Sequence, residues 1–225
     1  MTKNKVKQHE LDCPVGESSC EWLDEIARLR AEISELSELV ATDSVTGLFN
    51  YRHFKQALQT EMDRSKRSSI PTSLVLADID HFKTVNEQHG HEVGNLVLKQ
   101  LAETCRGALR TTDVVCRYVG EVIAIIFPET HLNLAVKVAD RIREEIAATP
   151  IVLESGEINV TVSMGASVYV KTSVIDQVDF IDSVDRFLHE AKQSGRNCIC
   201  HIDFAELRSV TEIGAPERVM RIARD

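Results

Sequence analysis

From Glu21 onward apolar residues recur at Trp22, Ile26, Leu29, Ile33, Leu36 and Val40, in steps of four, three, four, three and four. That is a heptad seam with Ile26, Ile33 and Val40 at one core position and Trp22, Leu29 and Leu36 at the other. β-Branched residues at the first with Leu at the second favour a parallel two-stranded coil. Its flanks, Asp24, Glu25, Arg28, Arg30, Glu32, Glu35 and Glu38, are charged. Fewer than three heptads make a coil that is marginal by itself. The expectation is a homodimer joined through residues 22–40. The other reading of the same stripe is one amphipathic helix lying on its own domain.

Beyond this helix the periods alternate. Residues after Asn50 predict a helix to about Arg67, closed by a loop with Ser68, Ser69 and Pro71. Ser73 to Asp80 reads as a buried strand ending in carboxylates, and His81 to Gly90 as a short helix and turn. Val93, Val97, Leu101, Cys105 and Ala108 have helical spacing. Val114 to Phe127 reads as two apolar runs meeting at a tight turn near Gly120, the mark of a β-hairpin. A helix from about Leu132 to Ala148 precedes two strands flanking Gly156, the second running from Ile158 to Tyr169. A helix from about Val174 to Gln193 and a strand near Asn197–Ile202 complete the pattern. Two hairpins among long helices indicate an α+β sheet with helices packed on it. The predicted divisions are a polar segment 1–20, a helix 21–42, a domain 43–202 and a charged tail 203–225, read as a loosely attached helix or stub.

Composition narrows the partners. A net charge of −9 argues against a nucleic-acid backbone, which needs a basic field to displace counterions. It leaves room for a locally basic pocket. No run approaches the roughly 20 apolar residues that span a bilayer, and the polar start opens no signal-peptide core, so no membrane association and a cytoplasmic location are expected. Six cysteines are then expected as thiols. Cys13 and Cys20 do not have a zinc spacing, nor does Cys198-Ile199-Cys200.

The segment Arg110-Thr111-Thr112-Asp113, followed by Arg117-Tyr118-Val119-Gly120-Glu121-Val122-Ile123, resembles the signature hairpin of the GGDEF family, the diguanylate cyclases that make the bacterial second messenger cyclic di-GMP from two GTP. Asp43-Ser44-Val45-Thr46-Gly47-Leu48-Phe49-Asn50-Tyr51-Arg52 is similar to that family's opening motif. Asp78-Ile79-Asp80-His81-Phe82-Lys83 through Asn86, Gly90-His91 and Gly94-Asn95 is similar to its Asp-x-Asp-x-Phe-Lys segment. The resemblance covers Asp43 to Ile202. It implies a ferredoxin-like nucleotidyl-cyclase palm of about five mainly antiparallel central strands, behind the coiled-coil helix.

Joining two GTP needs hard divalent ions held by clustered oxygens. By resemblance, Asp78 and Glu121 are the catalytic carboxylates and, with the Ile79 carbonyl, the magnesium ligands. Asn86 and Asn95 fall at the guanine-reading positions, and Lys83, Lys192 and Arg196 at phosphate-binding positions, so the implied ligands are GTP and magnesium. Asn95 stands where the family has Asp, which weakens guanine binding. Arg110, Asp113 and Arg141 match the family's Arg-x-x-Asp product site for cyclic di-GMP. A guanidinium can grip guanine O6 and N7 while a carboxylate accepts from N1–H and N2–H₂.

The hairpin departs from the family at three places. Val119 replaces a glycine, placing a β-branched side chain where backbone is expected near the nucleotide with φ above zero. Val122 replaces a carboxylate and can neither bind a cation nor accept a proton. Loss of such an electrostatic group costs about 2.7–4 kcal/mol, a hundred- to thousand-fold in rate. Ile123 for Phe is a milder packing change. Three readings follow. The first is a signalling protein with weak or absent cyclase turnover that binds cyclic di-GMP and passes the signal to a protein partner. The second is an active cyclase, and the third a dimeric scaffold that binds no nucleotide.

Overall fold

The computed structural model describes residues 25–26, 28–30, 41–153, 156–203 and 219–222. Residues 1–41 and 42–225 are two separate units. In the first, Glu25, Ile26 and Arg28 to Arg30 are helical, with Arg28 paired to Glu25 at 2.8 Å. Ile26 and Leu29 are exposed. The seam positions Trp22, Ile33, Leu36 and Val40, and the thiols Cys13 and Cys20, lie outside the described residues.

In the second unit, α1 (Tyr51–Ser68) leads into β1 (Thr72–Ile79), then α2 (Phe82–His89), α3 (His91–Ala108), β2 (Val114–Val119), β3 (Val122–Phe127) and α4 (Leu132–Ala148). A small hairpin of β4 (Ile151–Leu153) and β5 (Gly156–Ile158) follows. After it come β6 (Val162–Tyr169), α5 (Gln177–Gln193), β7 (Ile199–Ile202) and β8 (Val219–Ile222). The main sheet has the order β2-β3-β1-β6-β7-β8. Its first four strands are antiparallel to their neighbours, which is the ferredoxin-like arrangement the resemblance implies. β7 adds to β6 in parallel through α5, and β8 adds antiparallel to β7.

The side chains of β1 and β3 alternate between two cores, as a sheet covered on both faces requires. Val75, Ala77, Ile79, Ile123, Ile125 and Phe127 join Val97, Leu101, Ala139 and Ile142 of α3 and α4. Leu74, Leu76, Ala124 and Ile126 join Phe54, Leu58, Phe180 and Val184 of α1 and α5. All eight residues of β1 are buried. Helix α5 approaches β6 so closely that a Cβ on Gly165 would stand 2.9 Å from the Leu188 Cα and overlap the Leu188 amide and the Val184 carbonyl. Capping follows residue type: Asn50 accepts from the His53 N–H at the start of α1, and Asp176 from the Asp179 N–H at the start of α5.

Two expectations are corrected. The run from Ile158 to Tyr169 is not one strand. The hairpin partner of Ile151–Leu153 is only Gly156–Ile158, and β6 starts at Val162. Between them the Asp80 N–H donates to the Thr161 carbonyl at 2.9 Å and Thr161 Oγ1 donates to Asp80 Oδ2 at 2.7 Å, which redirects the chain into the sheet. The tail, expected as a helix or stub, supplies β8, paired from Ile199↔Ile222 to Ile202↔Val219. Among the described residues the central sheet therefore has six strands, against the about five that the resemblance implies.

Candidate functional site

The β2–β3 turn is two residues long, Gly120-Glu121, with Val119 opposite Val122 and a register shift between Arg117 and Val119. Gly120 carries the left-handed φ of 56° that such a turn demands. Val119 lies in the strand and is 62% exposed, so the expected backbone strain at this position is not found. Its effect is bulk at the hairpin tip. Arg117 fixes the turn from behind. Its Nε donates to the Gly120 carbonyl at 2.8 Å, and its Nη1 reaches both carboxylate oxygens of Asp43 at 3.1 and 3.2 Å. Burial alone would raise the Asp43 carboxyl. Hydrogen bonds from Thr46 and the Arg117 guanidinium outweigh it and hold the group below the ordinary carboxylate value.

Asp78 is the penultimate residue of β1, buried between Val122 of β3 and Ser163 of β6. Direct antiparallel partners share a sheet face. The isopropyl group of Val122 therefore stands beside the Asp78 carboxylate, where the resemblance implies a further carboxylate next to Glu121. On the same face Lys192, in the last turn of α5, donates to Asp78 Oδ2 at 2.6 Å. Burial raises the Asp78 carboxyl above its ordinary value, Lys192 opposes the rise, and Glu121 and Asp80 add to it.

Asp80 is engaged elsewhere. Oδ1 accepts from Ser163 Oγ at 2.6 Å, and Oδ2 accepts from Thr161 Oγ1 and from the Asn197 N–H at 3.1 Å. It anchors the Gly195-Arg196-Asn197 turn, all three residues at positive φ, that follows Lys192. Arg143 holds the same turn by donating from Nη1 to Asn197 Oδ1 at 2.9 Å.

A surface cleft of about 400 Å³ is lined by Phe82, Lys83, Asn86, Glu87, His91 and Glu121. It brings Lys83, Asn86 and Glu121 together. Lys83 is highly exposed and lies 3.6 Å from Glu87. Asn86 is seated on Gly94: a Cβ there would overlap Asn86 Oδ1 and stand 3.0 Å from its Cγ and 3.2 Å from Phe82 Cζ. Asn95, the next residue of α3, is exposed.

The other predicted group gathers at the end of α3. The Asp113 carboxylate accepts from the Arg110 N–H at 2.9 Å, and the Asp113 N–H donates to the Arg110 carbonyl at 3.1 Å. Arg141 of α4 donates to the Ala108 carbonyl at 2.7 Å, two residues before Arg110. Burial raises the Asp113 carboxyl, against the pull of Arg110.

Sequence reasoning overlooked Asp80, Arg117, Gly94 and Arg143, which position the site without lining it, and His91, which lines the cleft. Asp80 and Gly94 both sit in the quoted motif, but nothing in a linear pattern separates a residue that faces a ligand from one that braces it.

The donor set can be tested for the magnesium that the resemblance implies. Mg²⁺ requires near-octahedral oxygens at about 2.0–2.1 Å. Here one Asp78 oxygen is taken by an ammonium, both Asp80 oxygens are committed, and Val122 offers no donor. Among the described residues no three His, Cys, Asp or Glu side chains gather to hold an ion. Glu121, the second Asp78 oxygen and the Ile79 carbonyl would be the donors to an ion, and one or two carboxylates completed by substrate phosphates is the set that Mg²⁺ takes.

A two-faced α+β palm with its acidic strand end beside a tight hairpin defines the nucleotidyl-cyclase class of fold. The model of the family described as diguanylate cyclase, GGDEF domain, matches residues 40–198, and the chain belongs to that family. It is 34% identical over 173 residues to the response regulator PleD of Caulobacter vibrioides, covering 76% of this chain and 38% of that one. The active GGEEF domain of a diguanylate cyclase from Vibrio cholerae superposes with a TM-score of 0.64 at 30% identity, covering 68% of this chain and 96% of that one. The coiled coil and GGDEF domain of DgcB from Caulobacter crescentus, solved with c-di-GMP, superposes at 0.69 over 80% of this chain and 95% of that one. At 24% identity this likeness speaks for the fold alone. The chain spans less than half the length of the curated relatives it matches first. Among the described residues no helix is long and apolar enough to cross a membrane.

Proposed function

We propose that this chain is a cyclic di-GMP signalling domain in which cyclase turnover is absent or very slow and the Arg110–Asp113 turn binds cyclic di-GMP. The observation that carries the reading is the register Asp78↔Val122: an aliphatic side chain occupies the place beside the catalytic carboxylate. Attack of a ribose 3′ hydroxyl on an α-phosphate needs its proton removed and the growing charge on the phosphate balanced. Val122 does neither. Asp78 is already bound to Lys192, which leaves Glu121 as the acid at the cleft.

The product turn keeps its chemistry. One Asp113 oxygen closes the turn on the Arg110 N–H and the other remains to accept from guanine N1–H and N2–H₂. The Arg110 side chain is exposed at the same turn, with Arg141 alongside. In the cleft, Asn86 reads the guanine edge, with Asn95 as a weaker second reader. Lys83 and Arg196 meet the phosphates. The chain acts as a dimer through residues 22–40, in the cytoplasm, and hands its signal to a protein partner.

Incubation with GTP and Mg²⁺ followed by chromatography is expected to give no cyclic di-GMP above a trace. Calorimetry with cyclic di-GMP is expected to show binding that Arg110→Ala abolishes. Binding that survives this substitution refutes the site, and ready product formation refutes the inactivity. The second reading, an active cyclase, is favoured by one observation: Glu121 and Asn86 still line a single cleft.

A further inference from the structure

We infer that the face where the start of α1 meets α5 is a docking surface for a protein segment that presents an arginine beside an aliphatic residue. This face would receive the protein partner of the proposed function. Binding there is measured without a nucleotide, so a failure leaves the nucleotide sites standing, and their failure leaves this face standing.

Three aromatic rings step outward at this corner. Phe54 is wholly buried, the Tyr118 ring meets it edge-on at 5.2 Å, and the Tyr51 ring meets Tyr118 edge-on at 5.3 Å. Tyr51 is 48% exposed. On α5, Val178, Asp182 and Asp185 are spaced by four and then three residues, which puts them on one helix face. All three are exposed, Val178 to 54%. Gln177 Nε2 donates to the Lys55 carbonyl at 2.6 Å, which fixes the start of α5 against the second turn of α1. The acids are within electrostatic reach of the rings: burial raises the Tyr118 phenol above its ordinary value, and Tyr51, Asp185 and Asp182 add to the rise. Among the described residues neither acid has an ion-pair partner.

Two unmatched carboxylates repel a phosphate and call for a cation. The aromatic faces beside them favour guanidinium over ammonium, because guanidinium is planar, stacks on rings and is more weakly hydrated. Val178 lies one helical turn from Asp182, about 6 Å along the axis. The same segment therefore sets an aliphatic side chain on Val178, about two residues along an extended chain from its arginine. Tyrosine and arginine are among the side chains that carry most of the binding energy at protein interfaces, and here the chain supplies the tyrosines and the partner the arginine.

The chain has three tyrosines, and the third, Tyr169, is fully buried and serves as an internal control. Fluorine NMR of the full chain labelled with fluorotyrosine, its signals assigned with Tyr51→Phe and Tyr118→Phe, is followed while acetyl-leucyl-alanyl-arginine amide is added. The Tyr51 and Tyr118 signals should shift saturably at millimolar peptide while that of Tyr169 stays. The glutamate analogue of the peptide should shift neither. Asp182→Asn combined with Asp185→Asn, both exposed positions, should weaken the arginine peptide by at least about three-fold. Val178→Ser, a second and independent variant, should also weaken it. Equal shifts with the glutamate analogue, an unchanged affinity in either variant, or no movement of the two signals overturns the inference. Shifts that follow protein concentration without peptide identify a second copy of the chain as the occupant and overturn it as well.

Discussion

Gly94→Ala separates stability from recognition in one substitution. Gly94 is in the first turn of α3, where alanine in place of glycine normally gains about 0.5–1 kcal/mol. Against this stands the added Cβ, 3.0 Å from Asn86 Cγ, 3.2 Å from Phe82 Cζ and overlapping Asn86 Oδ1. The phenyl ring has to give by only a few tenths of an ångström. The amide is the end of a flexible, half-buried side chain and can swing into the cleft, so relief costs about 1 kcal/mol or less. The two terms nearly cancel, and the melting temperature should move by no more than a few degrees. The displaced amide, however, no longer presents its edge to a guanine. Losing one or two hydrogen bonds in a built site costs about 1–3 kcal/mol, or roughly 5- to 150-fold in GTP affinity. Calorimetry with GTP, paired with thermal denaturation, measures both. In an Asn86→Ala background the same change should have almost no further effect on affinity, since the group it displaces is gone. Unchanged GTP affinity in the single variant, or a full additional loss in the double, refutes the claim that Gly94 acts by seating Asn86.

Gly165→Ala should be far more damaging, because the added carbon meets the backbone of α5 and not a movable side chain. A loss of about 3 kcal/mol or more is expected in urea denaturation, and a loss under 1 kcal/mol would contradict the close packing of α5 on β6. Glu61 is buried, its Oε2 has no hydrogen-bond partner among the described residues, and burial raises its carboxyl above the ordinary value of 4.5. The folded state then holds this proton more firmly than the unfolded one, so stability falls as pH rises from about 4.5 through the folded value. Glu61→Gln should be more stabilising at pH 7 than at pH 4, and melting curves showing a pH-independent difference would refute it. Cys105 and Cys116 are buried with their thiols pushed up to about 12, so neither should react with iodoacetamide at pH 8 until the protein is unfolded. Rapid native labelling, read by mass spectrometry, would show that the core opens locally.

The central strands were legible in the sequence because burial on both faces writes an unbroken apolar run, as in Leu74 to Ala77 and Ile123 to Phe127. The Gly120 turn was legible because a two-residue reversal needs a left-handed residue. The break at Asn159 to Thr161 was not. The strand-like alternation Ile158-Asn159-Val160-Thr161-Val162 continues through it, and the cause is a pair of hydrogen bonds between Thr161 and Asp80, 81 residues distant. Strand β8 was missed because Val219-Met220-Arg221-Ile222 is short and set among charges, and only the open edge of β7 makes it a strand. At the site, the motif placed Asp78, Asn86 and Glu121 near the same end of the sheet. That Lys192 would close on Asp78 could not be read from its spacing, since a lysine in a last helical turn looks the same whether it faces solvent, a phosphate or a buried acid.

The guanidinium of Arg117 has one further implication. The same side chain grips the tip of the β2–β3 loop and the first acidic residue after Thr42. The guanidinium is thus a direct tie between Asp43 and the hairpin tip, beside the turn that Thr46 closes on Asp43 and the bridge that Phe49 makes to β2.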